Sequence, residues 1–308
     1  MRRATIAKVC GGLSASLASA LIIGCGDLGC RLALRLQQAG HTARGVVRGA
    51  RGAAALSALG IQALVGDVDA PLSLPSCDWV YYLLPPAADG ETDSRLRRLL
   101  ANLAPPARLV YLSTSGVYGD AGGRWIDERE PPAPVQARAR RRLDAERAVI
   151  ADAATRGYAA LVVRAPGIYG PGRLPVARLT CAGPIARSEE SPYSNRIHAD
   201  DLAAALRVVA ERGAAGAIYN ASDGAPTTMS EYLLACAAAL GLPPPPQRPL
   251  AEVMARASPM QREFLGESKR LRNDRLRSLG WTPRYCDLHS GLPGCLQHDT
   301  VAAARAGG

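Results

Sequence analysis

Three glycines at the spacing Gly-x-Gly-x-x-Gly could bind the phosphates of a nucleotide. Gly24, Gly26 and Gly29 follow the apolar run 21–23, which predicts a buried strand, and they open a segment with apolar residues at helical spacing. In such a unit the first glycine makes a tight turn, the second lets a pyrophosphate approach the backbone, and the third lets helix and strand pack closely. The N–H groups and the dipole of the following helix attract anions. The pattern therefore predicts a dinucleotide site, and a glycine turn without a ligand is the alternative.

The charges after the glycine turn bear on which dinucleotide binds. An NAD site usually has an acidic residue at the end of the second strand, where it binds the ribose 2′-hydroxyl. Here no Asp or Glu occurs between Asp27 and Asp67, whereas Arg44, Arg48 and Arg51 do. Because a guanidinium pairs well with a 2′-phosphate, we expect NADP(H) as the preferred cofactor and NAD(H) as the second choice. The alternative is that Arg48 merely points to solvent.

Residues 134–149 contain five arginines and predict a helix that begins after a proline. Arg138 and Arg142 lie four residues apart and share one face of it. Three interpretations are open: a nucleic-acid-binding helix, a solvated face, and the altered remnant of a catalytic helix. The first is the weakest, because arginines are scattered along the whole chain and no basic run alternates with aromatic residues for base stacking.

Composition limits the class of protein. The 308 residues can bury a large core, and the net charge of +10 favours an anionic partner. Of the 37 basic residues only Lys8 and Lys269 are lysine, which is typical of a GC-rich genome. A phosphate-bearing small ligand explains the charge, so we expect a small-molecule substrate and no nucleic-acid partner.

Cysteine usage and hydropathy indicate the compartment. The eight cysteines form no Cys-x-x-Cys pair and no histidine cluster accompanies them, which argues against a metal site and favours reduced thiols in a cytoplasmic protein. No apolar run reaches the roughly 20 residues needed to cross a bilayer, so no membrane partner is expected. Residues 1–18 imitate a secretory signal, but cleavage after Ala20 would cut the first strand. We expect a loosely ordered extension there, with export as the alternative.

Strands alternate with helices from residue 19 to about 222. This order is typical of right-handed β-α-β units and predicts an α/β fold, a Rossmann-type doubly wound parallel sheet with a smaller C-terminal region that caps the substrate. Beyond residue 170 the pattern loosens, and 175–192 is expected to be rich in loops. The expected division is an N-terminal extension 1–18, a dinucleotide-binding domain 19–170 rejoined by about 196–222, a smaller substrate domain of 171–195 and 223–300, and a tail 301–308.

A series of motifs resembles the extended short-chain dehydrogenase/reductase superfamily, which includes nucleotide-sugar epimerases and dehydratases. They are GCGDLG at 24–29, GD at 66–67, LSTSGVYGD at 112–120, RAPGIYGPG at 164–172, NRIHADDLAAAL at 195–206, YNASDG at 219–224 and LGWTPRY at 279–285. The resemblance covers nearly all of residues 19–290. It implies a Rossmann domain with a small C-terminal substrate domain, and by analogy it allows a homodimer through the helices at 94–103 and 136–156.

The resemblance also implies which residues contact the cofactor. Asp67 and Val68 would lie by the adenine, and residues 83–85 would line the nicotinamide ribose. The complete set expected at the cofactor is Gly24, Gly26, Asp27, Leu28, Gly29, Arg48, Arg51, Asp67, Val68, Leu83, Leu84, Pro85, Arg142 and Pro166.

The chemistry implied by the family is hydride transfer beside a tyrosine that exchanges a proton, with a lysine that lowers the pKa of that tyrosine. A Ser or Thr four residues before the tyrosine of Val-Tyr-Gly orients the substrate, which here is Thr114. Aligning the family's Tyr-x-x-x-Lys helix on Leu143 and Glu146 places Arg138 at the tyrosine position and Arg142 at the lysine position. The residues expected around the reacting groups are Ser113, Thr114, Ser115, Tyr118, Arg138 and Arg142.

This arginine pair fits the atypical branch of the superfamily, which keeps the nucleotide site and often loses the tyrosine–lysine pair. A guanidinium stays charged at neutral pH and exchanges no proton, although Arg142 could still bind ribose hydroxyls. Arg140, Arg141 and Arg147 are expected on a solvated face. The other candidate proton donors by region are Tyr118, Tyr169, Tyr193, His198 and Asp201. For His198 and Asp201 the resemblance favours a structural role that ties a loop to the sheet, and for Tyr118 and Tyr169 packing within a turn is the alternative.

Two functional hypotheses follow. The first is an NADP(H)-binding oxidoreductase or epimerase/dehydratase-like protein that acts on a small carbonyl or hydroxyl substrate oriented by Thr114. The second is a non-catalytic NADP(H)-responsive regulator or scaffold that keeps the fold without the chemistry.

Overall fold

The computed structural model of the protein describes residues 17–70 and 72–296. Within them, seven strands form one parallel sheet. The expected extension 1–18 and tail 301–308 lie almost entirely outside the described residues.

The strands are β1 Ser19–Ile23, β2 Thr42–Val47, β3 Gln62–Val65, β4 Trp79–Tyr82, β5 Arg108–Thr114, β6 Trp125–Ile126, β7 Ala159–Ala165, β8 Gly167–Tyr169, β9 Ile185–Ala186, β10 Tyr193–Ser194, β11 Arg196–His198, β12 Ile218–Asn220, β13 Thr227–Thr228, β14 Gln247–Arg248 and β15 Arg270–Leu271. The α-helices are α1 Asp27–Gln38, α2 Ala50–Ala58, α3 Ser94–Asn102, α4 Ala137–Arg156, α5 Val176–Thr180, α6 Ala199–Arg212, α7 Met229–Ala239, α8 Leu250–Arg256, α9 Pro259–Leu265, α10 Asp274–Arg277 and α11 Leu288–Gly291.

Helices cover both faces of the sheet because its strands are apolar on both sides. On one face, Leu32 of α1 and Leu206 of α6 pack against Ile22 and Val163. On the other face, helices α3 and α4 pack against alternate strand residues, with Val149 of α4 in that core. This arrangement confirms the expected Rossmann-type, doubly wound parallel sheet.

The seven strands of the sheet lie in the order β12-β7-β5-β4-β1-β2-β3. This order reverses next to β1, which pairs with β2 on one side and with β4 on the other. In doubly wound sheets, ligands bind at the carboxyl ends of the strands beside such a switch point. The glycine turn follows β1 directly, and the loop that begins at Leu83 follows β4. The fold therefore brings these two predicted segments to the same crevice.

A separate hydrophobic core lies outside the sheet. Tyr169, Leu179, Ile185, Leu233 and neighbouring side chains pack there, and most come from the regions 171–195 and 223–296. Within the segment 175–192, which was expected to be rich in loops, α5 and β9 are the only regular elements. Strand β9 pairs with β14, which fixes this segment against the C-terminal region.

Candidate functional site

The glycine turn has the geometry that the spacing predicts. Gly24 has φ +86°, and an added Cβ would come within 2.7 Å of the Leu84 side chain, so only glycine fits there. Gly29 lies against the β1 strand, with the Ile22 and Cys25 side chains 3.1–3.3 Å from an ideal Cβ. A larger residue at either position would push the helix, the strand and the β4 loop apart.

Gly26 differs from the other two glycines because neither its backbone conformation nor its surroundings in the protein require a glycine. It is the N-cap of α1 with φ −83° and ψ −153°, which any residue adopts, and an ideal Cβ there meets no atom within 4 Å. It is also exposed. The open space beside Gly26 is where a pyrophosphate would approach the backbone and the N-terminus of α1.

Two other members of the predicted cofactor set lie in the first turn of α1 and serve the protein itself. Asp27 accepts hydrogen bonds from Arg31 and from Arg173, each at 2.9 Å, so its charge is balanced by two guanidiniums. Leu28 is buried in the core with its side chain away from solvent. The Arg173 contact ties the turn to the loop after β8.

Arg48 and Arg51 follow β2, at the same carboxyl edge as the glycine turn. Both are exposed and make no hydrogen bond or ion pair to any residue that the structure describes. Asp69 is near enough to Arg48 to feel its charge, although Arg95 is the larger cause of the lowered pKa of that carboxyl. Asp67 is exposed and accepts the Asp69 N–H, and Val68 is half-buried. Two exposed guanidiniums thus lie at the carboxyl end of β2, next to the strand that the glycine turn follows.

Arg142 joins the ends of two central strands. Its Nη1 donates to the Leu84 carbonyl at 3.1 Å, to the Leu112 carbonyl at 2.7 Å and to the Tyr111 hydroxyl at 3.2 Å. Burial raises the pKa of Tyr111 to about 12, against the opposing effect of Arg142, so this hydroxyl stays protonated. Arg142 therefore lies at the carboxyl ends of β4 and β5.

The rest of the predicted ribose-side set is near this edge as well. Leu83 is buried, Leu84 packs against the glycine turn, and Pro85 is exposed with its carbonyl accepting from Arg95 at 3.3 Å. Pro166 is half-buried and follows β7 directly.

Of the three adjacent hydroxyls, Thr114 is the most accessible. It ends β5, is half-buried, and its Oγ1 accepts the Gly116 N–H at 3.2 Å, which leaves the hydroxyl hydrogen free to donate elsewhere. Ser113 is 4% exposed and donates to Glu146 at 2.5 Å, and Ser115 is buried. Tyr118 is also buried and donates to Asn220 at 2.8 Å.

A buried ion pair beneath these hydroxyls was not predicted from the sequence. Arg164 of β7 and Glu146 of α4 are each 2% exposed and pair at 2.6 Å, and Glu146 also accepts the Ser113 hydroxyl. The guanidinium of Arg164 stacks over the Tyr118 ring at 4.6 Å. The signal was present, because a charged residue inside the apolar strand 159–165 requires a buried partner.

Arg138, at the tyrosine position of the family pattern, is held by the C-terminal region. Its Nε lies 3.1 Å from the Glu263 carboxylate, and its guanidinium covers the Phe264 ring at 4.5 Å. Gln136 accepts from Arg138 and donates to the Glu263 carbonyl and to Glu267. We call Gln136, Arg138, Glu263, Phe264 and Glu267 the α9 latch; it fastens helix α9 to the start of α4.

The prediction for Arg141 was wrong. It was expected on a solvated face with Arg140 and Arg147, which are exposed, but it is only 9% exposed and donates to the Gly90 carbonyl at 2.9 Å. Helical spacing places Arg141 on the same side as Ala145, which packs in the core.

The remaining candidates for proton exchange have structural partners. The Asp201 carboxylate accepts the N–H groups of Arg284 and Tyr285, both at 2.9 Å, so it has a structural role and ties this loop to α6. His198 accepts the Asp200 N–H as the N-cap of α6, and burial lowers its pKa. Tyr169 donates to the Asp287 carbonyl at 3.2 Å, and the Tyr193 ring lies under the Arg270 guanidinium.

Two further observations concern the described residues as a whole. They contain no group of three or more His, Cys, Asp or Glu side chains that could hold a metal ion. None of the helices in this part of the chain is both long and apolar enough to span a membrane.

Comparison with known proteins places these features in a family. Residues 87–222 match the model of the NAD dependent epimerase/dehydratase family. A solved structure of a functionally unknown conserved protein from Silicibacter pomeroyi DSS is 31% identical, covers 92% of this chain and 99% of that one, and has a TM-score of 0.75. The chain belongs to the NAD dependent epimerase/dehydratase family.

Two more relatives of this epimerase/dehydratase chain show how far the similarity extends. Protein YeeZ of Escherichia coli strain K12 is 28% identical over 238 residues, which are 73% of this chain and 84% of YeeZ. MoeE5, solved in complex with UDP-glucose and NAD, is 24% identical, covers 92% of this chain and 99% of its own, and has a TM-score of 0.72. At that identity MoeE5 shares the fold.

Proposed function

We propose that this epimerase/dehydratase-family protein binds NADP(H) and is an oxidoreductase or epimerase/dehydratase-like enzyme for a small carbonyl or hydroxyl substrate. The observation that carries the proposal is the glycine turn with its open space beside Gly26, flanked by the unpaired guanidiniums of Arg48 and Arg51. MoeE5, which shares the fold, was solved with NAD. A dinucleotide laid across the switch point would run from Arg48 to Arg142.

The preference for the phosphorylated cofactor rests on charge. A bare ribose hydroxyl is usually held by a carboxylate, and none occurs between Asp27 and Asp67. A 2′-phosphate would instead receive charge-assisted hydrogen bonds from Arg48 and Arg51. These side chains are free of competing ion pairs, so they can turn toward a phosphate without breaking a contact.

When bound, a nicotinamide dinucleotide supplies hydride transfer. The chain's own residues would do the positioning. Arg142, fixed by the Leu84 and Leu112 carbonyls, has guanidinium nitrogens left for ribose hydroxyls. Thr114 would orient the substrate oxygen with the hydroxyl hydrogen that its contact with Gly116 leaves free. Arg138 would hold an anionic group or keep the α9 latch closed, because it has no proton to give near neutral pH.

A titration with both cofactors tests the proposal. We expect Arg48→Ala to weaken the binding of NADPH by about 1.5–3 kcal/mol, which raises its dissociation constant roughly ten- to hundredfold. The binding of NADH should be nearly unchanged. The matched control is Arg147→Ala, which removes another exposed, unpaired arginine from α4. Equal losses for both cofactors in Arg48→Ala would refute the assignment of the 2′-phosphate.

A second function, a non-catalytic NADP(H)-responsive regulator, is favoured by the state of the proton donors. Arg138 is engaged in the α9 latch, and the hydroxyls of Tyr111, Tyr118 and Tyr169 all have partners. Catalysis without these groups requires Thr114 and ordered water.

Turnover separates the two functions. An enzyme should oxidise NADPH with some members of a panel of small carbonyl compounds, and Thr114→Val should lower that rate more than Arg138→Lys does. The double change Arg138→Tyr with Arg142→Lys restores the family pattern and should raise the rate if the rest of the site is intact. No turnover in wild type or in a folded, NADPH-binding double variant favours the regulator.

The cytoplasmic location and the homodimer stay predictions.

A further inference from the structure

Two cysteines lie within and directly after the glycine turn. Cys25 lies between the first two glycines and Cys30 directly after the third. Since Gly26 is the N-cap of α1, Cys25 is the residue before the cap and Cys30 is the fourth helical residue. Side chains at these two positions pack together across the first turn of a helix. Cys25 is buried, whereas Cys30 is half-buried and within reach of small solutes.

The surroundings shift the pKa values of the two thiols in opposite directions. Hydrogen bonding with Cys25 lowers the pKa of Cys30 to about 7, and Arg31 acts in the same direction against burial and Asp27. The N-terminus of α1 also favours an anion there. The same hydrogen bond, together with burial, raises the pKa of Cys25. Cys30, which is the more exposed of the two and lies at the N-terminal end of α1, is therefore the thiol that peroxide should reach and oxidise first, with the buried Cys25 beside it.

We propose that Cys30 is an oxidation site and Cys25 its resolving thiol, so that peroxide closes the phosphate turn with a disulfide that weakens dinucleotide binding. In the first step the Cys30 thiolate attacks hydrogen peroxide, the O–O bond breaks, and sulfenic acid and hydroxide form. In the second step the Cys25 sulfur attacks the Cys30 sulfur, the S–O bond breaks, and water leaves with the Cys25 proton. Peroxide takes up two electrons, and a dithiol reductant reverses the change. The effect on affinity rests on the proposed dinucleotide site.

The disulfide should disturb the turn because it requires contraction there. To form the bond, the two sulfurs must approach to about 2.05 Å, with the Cβ atoms about 3.8 Å apart. Cys25 has little freedom to move as a whole, since its N–H donates to the Val46 carbonyl at 3.2 Å and its side chain packs against Gly29 and Gly45. The strain therefore falls on the backbone between the cysteines, which includes Gly26. That is the backbone a pyrophosphate would contact.

The test begins with fully reduced protein treated with hydrogen peroxide, quenched by alkylation and mapped by peptide mass spectrometry. We expect a Cys25–Cys30 disulfide in wild type and in the control Cys286→Ala, which removes an exposed cysteine elsewhere. In the oxidised wild type the NADPH dissociation constant should rise by at least about tenfold and return after dithiothreitol. Cys30→Ala and Cys25→Ala should both lose the peroxide effect on affinity.

Three results would overturn the proposal. The first is that the thiols of Cys25 and Cys30 can still be alkylated after peroxide treatment. The second is that the disulfide forms and the affinity for NADPH does not change. The third is that Cys30→Ala still loses affinity for NADPH on oxidation. If the reduced protein binds neither NADPH nor NADH, the proposed function fails and the coupling fails with it. A disulfide without a change in affinity, in protein that binds NADPH, refutes the coupling alone.

Discussion

Removing the Glu146 carboxylate should cost the protein a large part of its stability. Glu146 accepts from Ser113 at 2.5 Å and from Arg164 at 2.6 and 3.0 Å, and both ionic side chains are 2% exposed. The Arg164 Nη1 atom already lacks a hydrogen-bond partner. Because Glu146→Ala leaves a guanidinium buried without a counter-charge, we expect a loss of about 3–5 kcal/mol in the free energy of unfolding.

The assay is urea denaturation followed by circular dichroism, with the denaturant slope compared between variants. Glu146→Gln keeps an acceptor for Arg164 and should lose less than Glu146→Ala. Replacing the whole pair by apolar residues, as Glu146→Leu with Arg164→Met, removes the unpaired charge and should recover most of the loss. The reasoning is refuted if Glu146→Ala costs less than about 1 kcal/mol, or if the double variant is no more stable than the single one.

Two more predictions concern groups away from the glycine turn. Burial raises the pKa of Asp223 from its ordinary 3.8 to about 7, so the folded state keeps a proton that the unfolded chain releases, and stability should fall as pH rises from about 4 to about 7. Asp223→Asn keeps the acceptor for the Ala225 N–H and should remove this decline. The free energy of unfolding of the variant should exceed that of wild type by at most about 4 kcal/mol at pH 8. An equal decline with pH in the variant would show that Asp223 is not the titrating group. Arg138→Ala breaks an exposed pair, so the free energy of unfolding should change by less than about 1 kcal/mol while limited proteolysis near residues 259–266 speeds up. Unchanged proteolysis would show that the α9 latch does not hold α9.

The sequence predicted the local parts of the site better than the long-range ones. The glycine spacing and the alternation of strands and helices carry their own geometric meaning, so the turn after β1 and the doubly wound sheet followed from them. The prediction for Arg141 was wrong because its charge suggested an exposed residue, whereas its position in the helix, four residues before the buried Ala145, places it beside the core. The partners of Arg138 lie more than 120 residues away in α9, a helix that no local pattern ties to α4.

The buried Glu146–Arg164 pair shows the same limit from another side. An arginine in an apolar strand of the sheet indicates that a buried acidic partner exists, but it does not indicate which Asp or Glu that partner is. Only the packing of α4 on β7 decides which one does. Similarly, the cysteine spacing alone does not indicate that Cys25 and Cys30 lie close together. That follows only once the structure places Gly26 at the N-cap of α1.

The most direct test of the central claim is a side chain at position 26. The protein has room for it, since an ideal Cβ meets nothing within 4 Å and the backbone is in an ordinary extended conformation. Gly26→Val should therefore leave the melting temperature nearly unchanged and abolish measurable NADPH binding, because the valine would stand where the pyrophosphate approaches the backbone. A folded Gly26→Val protein that binds NADPH as tightly as wild type would contradict the account.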